Sequence, residues 1–225
     1  MKEFSALLFK YREMVGLLFF IIATSIVIIL YIRYRKKEHH KLIQFCVEHG
    51  YSLIEESYNL PNCPYKFSIV TTDYGYHKFL NIISGNICGI EFSVMDYYLK
   101  CGKSRSIYTF WMLSKPNYII TPFNLRPHVK PSFFFNIENN SVKFIDDKVF
   151  SDTFDLDGYD DKTLKKLFNS NLRNAFLNIQ TRNFEYQSAR GYFLILLREE
   201  TDTDTKIHFL NKIINLYLTL LARFK

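Results

Sequence analysis

The sequence is short of the spacings that mark reactive sites. Four cysteines occur in 225 residues, and no two of them form a Cys-x-x-Cys pair. Cys46, Cys63, Cys88 and Cys101 are scattered, which suits a domain kept reduced; their even number leaves two disulfides open if the domain lies outside the cell. Cys46 and His49 stand at i, i+3, compatible with metal ligation, but a closed zinc site needs two further ligands that no local pattern supplies. The remaining histidines, His39, His40, His77, His128 and His208, are isolated or adjacent to one another without ligand spacing. No Ser or Cys sits in a nucleophile elbow. Internal repeats and low-complexity segments are missing as well.

Two partial motifs fall short in instructive ways. Cys101-Gly102-Lys103-Ser104 ends like a phosphate-binding loop, yet Tyr97 stands where the first glycine of that loop belongs, and a strand pattern follows instead of a helix. Asp155-Leu156-Asp157-Gly158-Tyr159-Asp160-Asp161 resembles part of a calcium loop without the late bidentate Glu. A strand end, a turn at Gly158 and a helix cap account for the same residues. Asp146-Asp147 and Glu199-Glu200 read as solvated turn or cap pairs. No catalytic residue, metal or cofactor is therefore expected, although a catalytic pair assembled from distant positions remains open to sequence reading.

The charge is one-sided only near the N-terminus. Residues 1–41 carry eight Lys/Arg against three Glu, which is +5 of the formal +7 and leaves +2 for the rest of the chain. So local a basicity belongs to membrane flanks and not to a nucleic-acid surface, and no nucleic-acid partner is expected.

What the sequence does have is the stretch from Met14 to Ile32. These 19 residues carry no charge and are bounded by Glu13 and Arg33. As a helix they span about 28 Å, close to the ~30 Å hydrocarbon core of a bilayer. In lipid every backbone polar group needs a partner within the segment, so a helix is the one single-segment solution. Arg33, Arg35, Lys36 and Lys37 follow at once, with Lys41 beyond, and outweigh the N-terminal flank; they place the larger C-terminal part in the cytoplasm and the N-terminus outside. A cleaved signal peptide fits less well, because the apolar run is long and no small-x-small site precedes the basic cluster.

The organisation expected is an N-terminal segment and transmembrane helix over 1–37, spanning 14–32, then an α+β domain over 38–225 with possible lobes at 51–131 and 132–225. The helix extends over residues 1–13 and again from Arg35 to His49, with Gly50 as its stop. Strand periodicity covers Tyr51–Glu55, Phe67–Thr72, Lys78–Ile83, Gly89–Tyr98, Ser106–Leu113, Tyr118–Phe123 and Val142–Ile145, with turn residues at Ser84-Gly85-Asn86 among the breaks. Their close succession predicts an antiparallel meander. Arg126 to Pro131, with two prolines, reads as a crossover. A helix is predicted from Asp160 to Gln180, a hairpin from Glu185–Gln187 and Tyr192–Leu197, and a last helix from 204 to 223, broken as a membrane span by Lys212. Phe110-Trp111 and Phe133-Phe134-Phe135 read as core before they read as a groove.

Thr121-Pro122-Phe123-Asn124-Leu125-Arg126-Pro127, Lys143-Phe144-Ile145-Asp146, Val149-Phe150-Ser151, the 154–161 acidic stretch and Leu167-Phe168 together resemble a family of uncharacterised bacterial single-pass membrane-anchored proteins. Gly85-Asn86-Ile87-Cys88-Gly89-Ile90 and Met95-Asp96-Tyr97-Tyr98 look like that family's upstream segments. The family pattern has an acidic residue after Arg-Pro, where this chain has His128. The resemblance implies architecture and membrane location, not an activity.

The expectation is a membrane-anchored, non-enzymatic binding or scaffolding module at the cytoplasmic face of an inner membrane, with the bilayer and another protein as partners. Its antiparallel sheet carries the 160–180 and 204–223 helices on one face. Arg126 is the single candidate ligand-binding residue, because an Arg fixed beside Pro127 can present its fork to an anionic group; pairing with a nearby aspartate is the simpler role. The alternatives are a hydrolase-like membrane-bound enzyme with a site built from distant residues, and an extracytoplasmic sensor of inverted topology.

Overall fold

In the computed structural model the residues described are 2–60, 67, 76–115, 117–128, 141–158, 160–179 and 184–224. The chain divides into two compact units, 1–44 and 45–225. The first is helical, part of α1 (Lys2–His49). Its apolar side chains from Met14 to Ile32 are exposed around the whole helix, which is what lipid and not a protein core would cover. The Thr24 hydroxyl donates to the Phe20 carbonyl at 2.7 Å, so even this polar group finds its partner inside the segment.

In the second unit α1 stops at Gly50, whose φ of +68° lets the Tyr51 N–H reach back to the Cys46 carbonyl at 2.8 Å. Eight strands then form one sheet: β1 (Ser52–Ser57), β2 (Tyr76–Ile87), β3 (Ile90–Cys101), β4 (Ser104–Ser114), β5 (Phe123–Pro127), β6 (Phe154–Gly158), β7 (Phe184–Ala189) and β8 (Tyr192–Leu197). The spatial order is β1-β2-β3-β4-β8-β7-β5-β6, and every neighbouring pair is antiparallel. Strands from both sides of residue 131 thus join a single sheet. Helices α2 (Lys148–Thr153), α3 (Asp161–Leu167), α4 (Ser170–Ile179) and α5 (Thr203–Leu221) complete the α+β domain, the class expected, although α2 is not among the predicted helices.

Alternation along the strands gives the sheet two buried faces. Cross-strand partners Val94, Trp111 and Ile195 share the face under α5, where the Trp111 ring meets Phe209 and its indole N–H donates to the Lys206 carbonyl at 3.2 Å. On the same face Phe123, Phe168, Phe176, Tyr186, Phe193 and Tyr217 form a continuous ring cluster with centroids 5.0–6.4 Å apart, which binds α3, α4 and α5 to the sheet. The other face carries Phe79, Ile82, Met95, Tyr97, Phe110, Met112, Leu194 and Leu196, with Phe67 against them. Phe110 and Trp111 belong to these two layers, one to each face.

A buried ion pair locks α5 to β3. Lys206 Nζ lies 2.7 and 2.9 Å from the two carboxylate oxygens of Asp96, and both side chains are almost fully covered. Asn81 adds a 2.8 Å bond to the same carboxylate. It can do so because the register slips between Leu80 and Ile83, a bulge in which Asn81 takes φ +52°. A second pin joins the 144–148 turn to α4: Arg173 donates through Nε to Asp147 and through Nη2 to Asp146, each at 2.7 Å, and through Nη1 to the Phe168 carbonyl at 3.0 Å.

Several boundaries differ from the sequence expectation. The strand expected at Tyr118–Phe123 starts at Phe123 and runs through Pro127; pairing with β7 ends at Leu125, so the proline interrupts no ladder on that side. Arg126 and Pro127 therefore belong to a strand and not to a crossover; residues 129–131 lie outside the described residues. Ser84-Gly85-Asn86 is not a break. The strand continues to Ile87, with Gly85 flat under the Tyr51 ring, and the turn comes at Cys88-Gly89. Val142–Ile145 is no strand, making a single ladder-like bond from Val142 N–H to Leu156. The long helix expected from Asp160 divides at Phe168-Asn169, where Asn169 Oδ1 caps the new start by accepting from Leu172 N–H at 3.1 Å; the apolar stripe survives because both pieces face one core. Of the strand expected at Phe67–Thr72 only Phe67 is described, and it lies in no strand; Phe133–Phe135 also fall outside the described residues.

Candidate functional site

β5 and β6 place Arg126, Asp155 and Asp157 on one face of the sheet, since Arg126 pairs with Asp155 and the two aspartates are two residues apart. Arg126 Nη2 lies 3.3 Å from Asp157 Oδ2, with half of the arginine side chain exposed. Asp155 is buried and gathers three donors on one oxygen: His128 Nδ1 at 2.9 Å, Ser141 Oγ at 3.2 Å and Lys143 Nζ at 3.3 Å. Burial pushes its carboxyl up, but the hydrogen bonds and charges of His128 and Lys143 outweigh it and hold the group below the usual carboxylate range. An ionised Asp155 can only accept, so the proton of His128 in this contact sits on Nδ1.

The acidic stretch resembling a calcium loop is thus divided among separate tasks. Asp155 and Asp157 face cations, and Asp160 caps α3 by accepting from the Lys162 and Thr163 amides at 3.1 and 3.2 Å. Among the described residues no three His, Cys, Asp or Glu side chains gather as a metal site would require. Cys46 is buried, and its thiol is raised by desolvation; His49 bonds the Phe45 carbonyl at 3.0 Å and stacks on Tyr51. The Cys101-Gly102-Lys103-Ser104 segment forms the turn between β3 and β4. Arg33, Arg35, Lys36 and Lys37 lie on α1 directly after the uncharged stretch.

A cleft of about 570 Å³ opens at the ends of β1 to β4, strands away from Arg126. Ser52, Ser84, Ser93 and Ser114 line it, together with Asn86, Glu91 and Met112. The hydroxyls form a ladder across the strands: Ser52 Oγ donates to the Ser84 carbonyl at 3.2 Å, Ser84 Oγ meets Ser93 Oγ at 2.8 Å, and Ser114 Oγ donates to Glu91 Oε2 at 3.2 Å. Hydroxyls donate and accept, and the single carboxylate favours neutral or cationic polar groups over anions. Sequence reading missed this cleft because the four serines are isolated along 63 positions and only the strand register collects them.

No protein-family model matches this chain, and no curated protein does. Among solved structures it is similar to the crystal structure of the mycobacterial trehalose monomycolate transport factor A, TtfA, with a TM-score of 0.56 and 11% identity over 83% of this chain and 95% of that chain. At that identity the likeness is one of fold.

Proposed function

We propose that this chain is a single-pass membrane-anchored, non-enzymatic binding or scaffolding module whose domain stands on the cytoplasmic side of an inner membrane, as in the bacterial family its sequence resembles. The observation that carries the reading is the uncharged Met14–Ile32 segment, helical throughout and exposed on all sides, with a basic cluster immediately after it. What supports binding over catalysis is that the one carboxylate lining the cleft bonds a serine, and that the histidine and aspartates near Arg126 lie at the other side of the sheet order. Arg126 remains the group through which an anionic partner would engage that second edge, by exchanging for Asp157. The likeness in fold to a transport factor fits an accessory role, in which a tethered domain holds a partner or cargo at the bilayer.

Fractionation and thiol labelling test this. The full chain should resist carbonate extraction and leave the membrane only with detergent. Cys88 and Cys101 are exposed, so an impermeant maleimide should label them only after cells are permeabilised. Release by carbonate would remove the anchor from the account, whereas brisk labelling in intact cells would invert the topology and favour the sensor reading.

A further inference from the structure

Most hydroxyl protons in the serine cleft are already committed. Ser52 gives its proton to the Ser84 carbonyl, Ser114 gives its own to Glu91 Oε2, and one proton lies between Ser84 and Ser93. Asn86 spends its oxygen on the Gly89 N–H at 3.0 Å and keeps its amide hydrogens. A hydroxyl oxygen accepts twice and a carboxylate about four times. After these bonds roughly ten lone-pair sites stand against about three donor hydrogens. The cleft is a surface that accepts. A neutral polyol brings acceptors along with its donors and leaves much of that surface unpaired. An ammonium brings three donors and a guanidinium five, with no acceptor on either.

The strand register sets these groups in two rows on one face: Ser52, Ser84, Ser93 and Met112, then Asn86, Glu91 and Ser114. Neighbouring strands lie about 4.8 Å apart. A cationic nitrogen about 2.8 Å from an oxygen on each of two strands bridges that step. Glu91 bonds Ser114 and has no ion pair among the described residues, and no lysine or arginine among them lines the cleft. Its charge is therefore open to a cation from outside. Met112, nearly covered and in the row of the serines, adds an apolar contact for an aliphatic stem.

We propose that the serine cleft binds the cationic head of an aliphatic amine or guanidine. Glu91 is its counter-charge, the Ser84, Ser93 and Ser114 hydroxyls are further acceptors, and Met112 lies against the stem. A lysine or arginine side chain of a partner protein carries this chemistry, and so does a free alkylamine. The proposal rests on the binding reading of the cleft and narrows it from polar groups in general to cations.

Calorimetric titration of the full chain in phosphatidylcholine nanodiscs tests this. The probes are agmatine, cadaverine, the capped tripeptide acetyl-Gly-Arg-Gly-amide and, as the neutral counterpart, pentanediol. At least one cation should bind about tenfold or more tighter than pentanediol. Glu91→Gln keeps an acceptor for Ser114 and removes the charge; it should cut cation affinity about tenfold or more and leave pentanediol as it was, with Trp111 emission native. Glu199→Gln, the same change at an exposed carboxylate outside the cleft, should alter neither. A free amine that binds tighter than the tripeptide assigns the cleft to small amines, and the reverse order assigns it to a partner's side chain. No cation binding, pentanediol binding as tight as the cations, or cation binding that survives Glu91→Gln would each overturn the proposal. Carbonate extraction reads the anchor separately. A chain that stays in the membrane and binds no cation loses this proposal alone; one that binds cations through Glu91 but is released by carbonate loses the anchor alone. A bound amine recovered chemically converted would remove the non-enzymatic reading and leave the cleft's specificity standing.

Discussion

Replacing Lys206 with methionine keeps the length of the side chain but leaves the Asp96 carboxylate buried without its counter-ion. Both partners are nearly inaccessible, at 6% and 3% of side-chain exposure, so solvent does little to weaken their interaction or to rescue the survivor. Removing one member of such a pair costs about 3–5 kcal/mol. The Asn81 amide continues to donate to Asp96 at 2.8 Å, which places the expected loss at the lower end, about 3 kcal/mol. For a domain of this size that corresponds to a fall in Tm of roughly 6–12 °C. Trp111 is the sole tryptophan of the chain and bonds the carbonyl of Lys206 itself, so its emission reports the opening of this contact directly. Urea titration of the detergent-solubilised full chain, followed at Trp111, should show the loss. The double variant Asp96→Asn with Lys206→Met buries no charge and retains the Asn81 bond; it should recover most of the deficit. A Lys206→Met chain within about 1 kcal/mol of the parent, or a double variant no better than the sum of its singles, would show that this pair is not what fixes α5 to β3.

The Arg173 pin discriminates between its two aspartates. Asp146 is 71% exposed and Asp147 17%, so Asp146→Asn should lower Tm little, whereas Asp147→Asn loses a covered partner of Arg173 and weakens the cap on Phe150 N–H and should lower it more; thermal melts of the two variants read the difference. Arg173→Lys cannot make three directed bonds at once and should cost about 1.5–3 kcal/mol by urea titration. Asp155 has a folded-state pKa held below its unfolded value, so its contribution is present above about pH 4 and fades as pH falls through the depressed folded value. The Tm gap between the parent and Asp155→Asn should therefore close on acidification, and a gap that persists to the acid limit would refute the assignment. At Gly191, φ is +90° and an added Cβ would meet the Tyr118 carbonyl oxygen at 2.4 Å, a backbone atom that cannot swing aside. Gly191→Ala should cost about 1–3 kcal/mol by urea titration; Gly16→Ala, with open space around it, should leave stability unchanged.

The sequence alone determined the parts of this protein whose causes are local. Nineteen uncharged residues in a row make a helix suited to lipid, since each backbone group must be satisfied within the segment. Strand periodicity in β2 to β4 and β7 and the unbroken apolar run of β8 marked strands, and the Asp160-Asp161 pair and the Thr201–Asp204 stretch announced the starts of α3 and α5, where Asp160 and Asp202 accept early backbone amides. Only the tertiary structure decided the rest. Whether Arg126 lies in a crossover or a strand depends on β6 arriving beside it, with β7 pairing only as far as Leu125. The serine cleft exists because pairing sets Ser52 against Ser84, Ser84 against Ser93 and Glu91 against Ser114, none of which a residue's near neighbours encode. Lys206, a polar interruption in an otherwise apolar helix face, becomes a buried partner only when Asp96, 110 positions earlier, is folded beneath it. Periods of 2 and 3.6 residues are properties of a short segment, but register and buried charge pairing are fixed by which distant surfaces must be closed together, and that is settled by the packed whole.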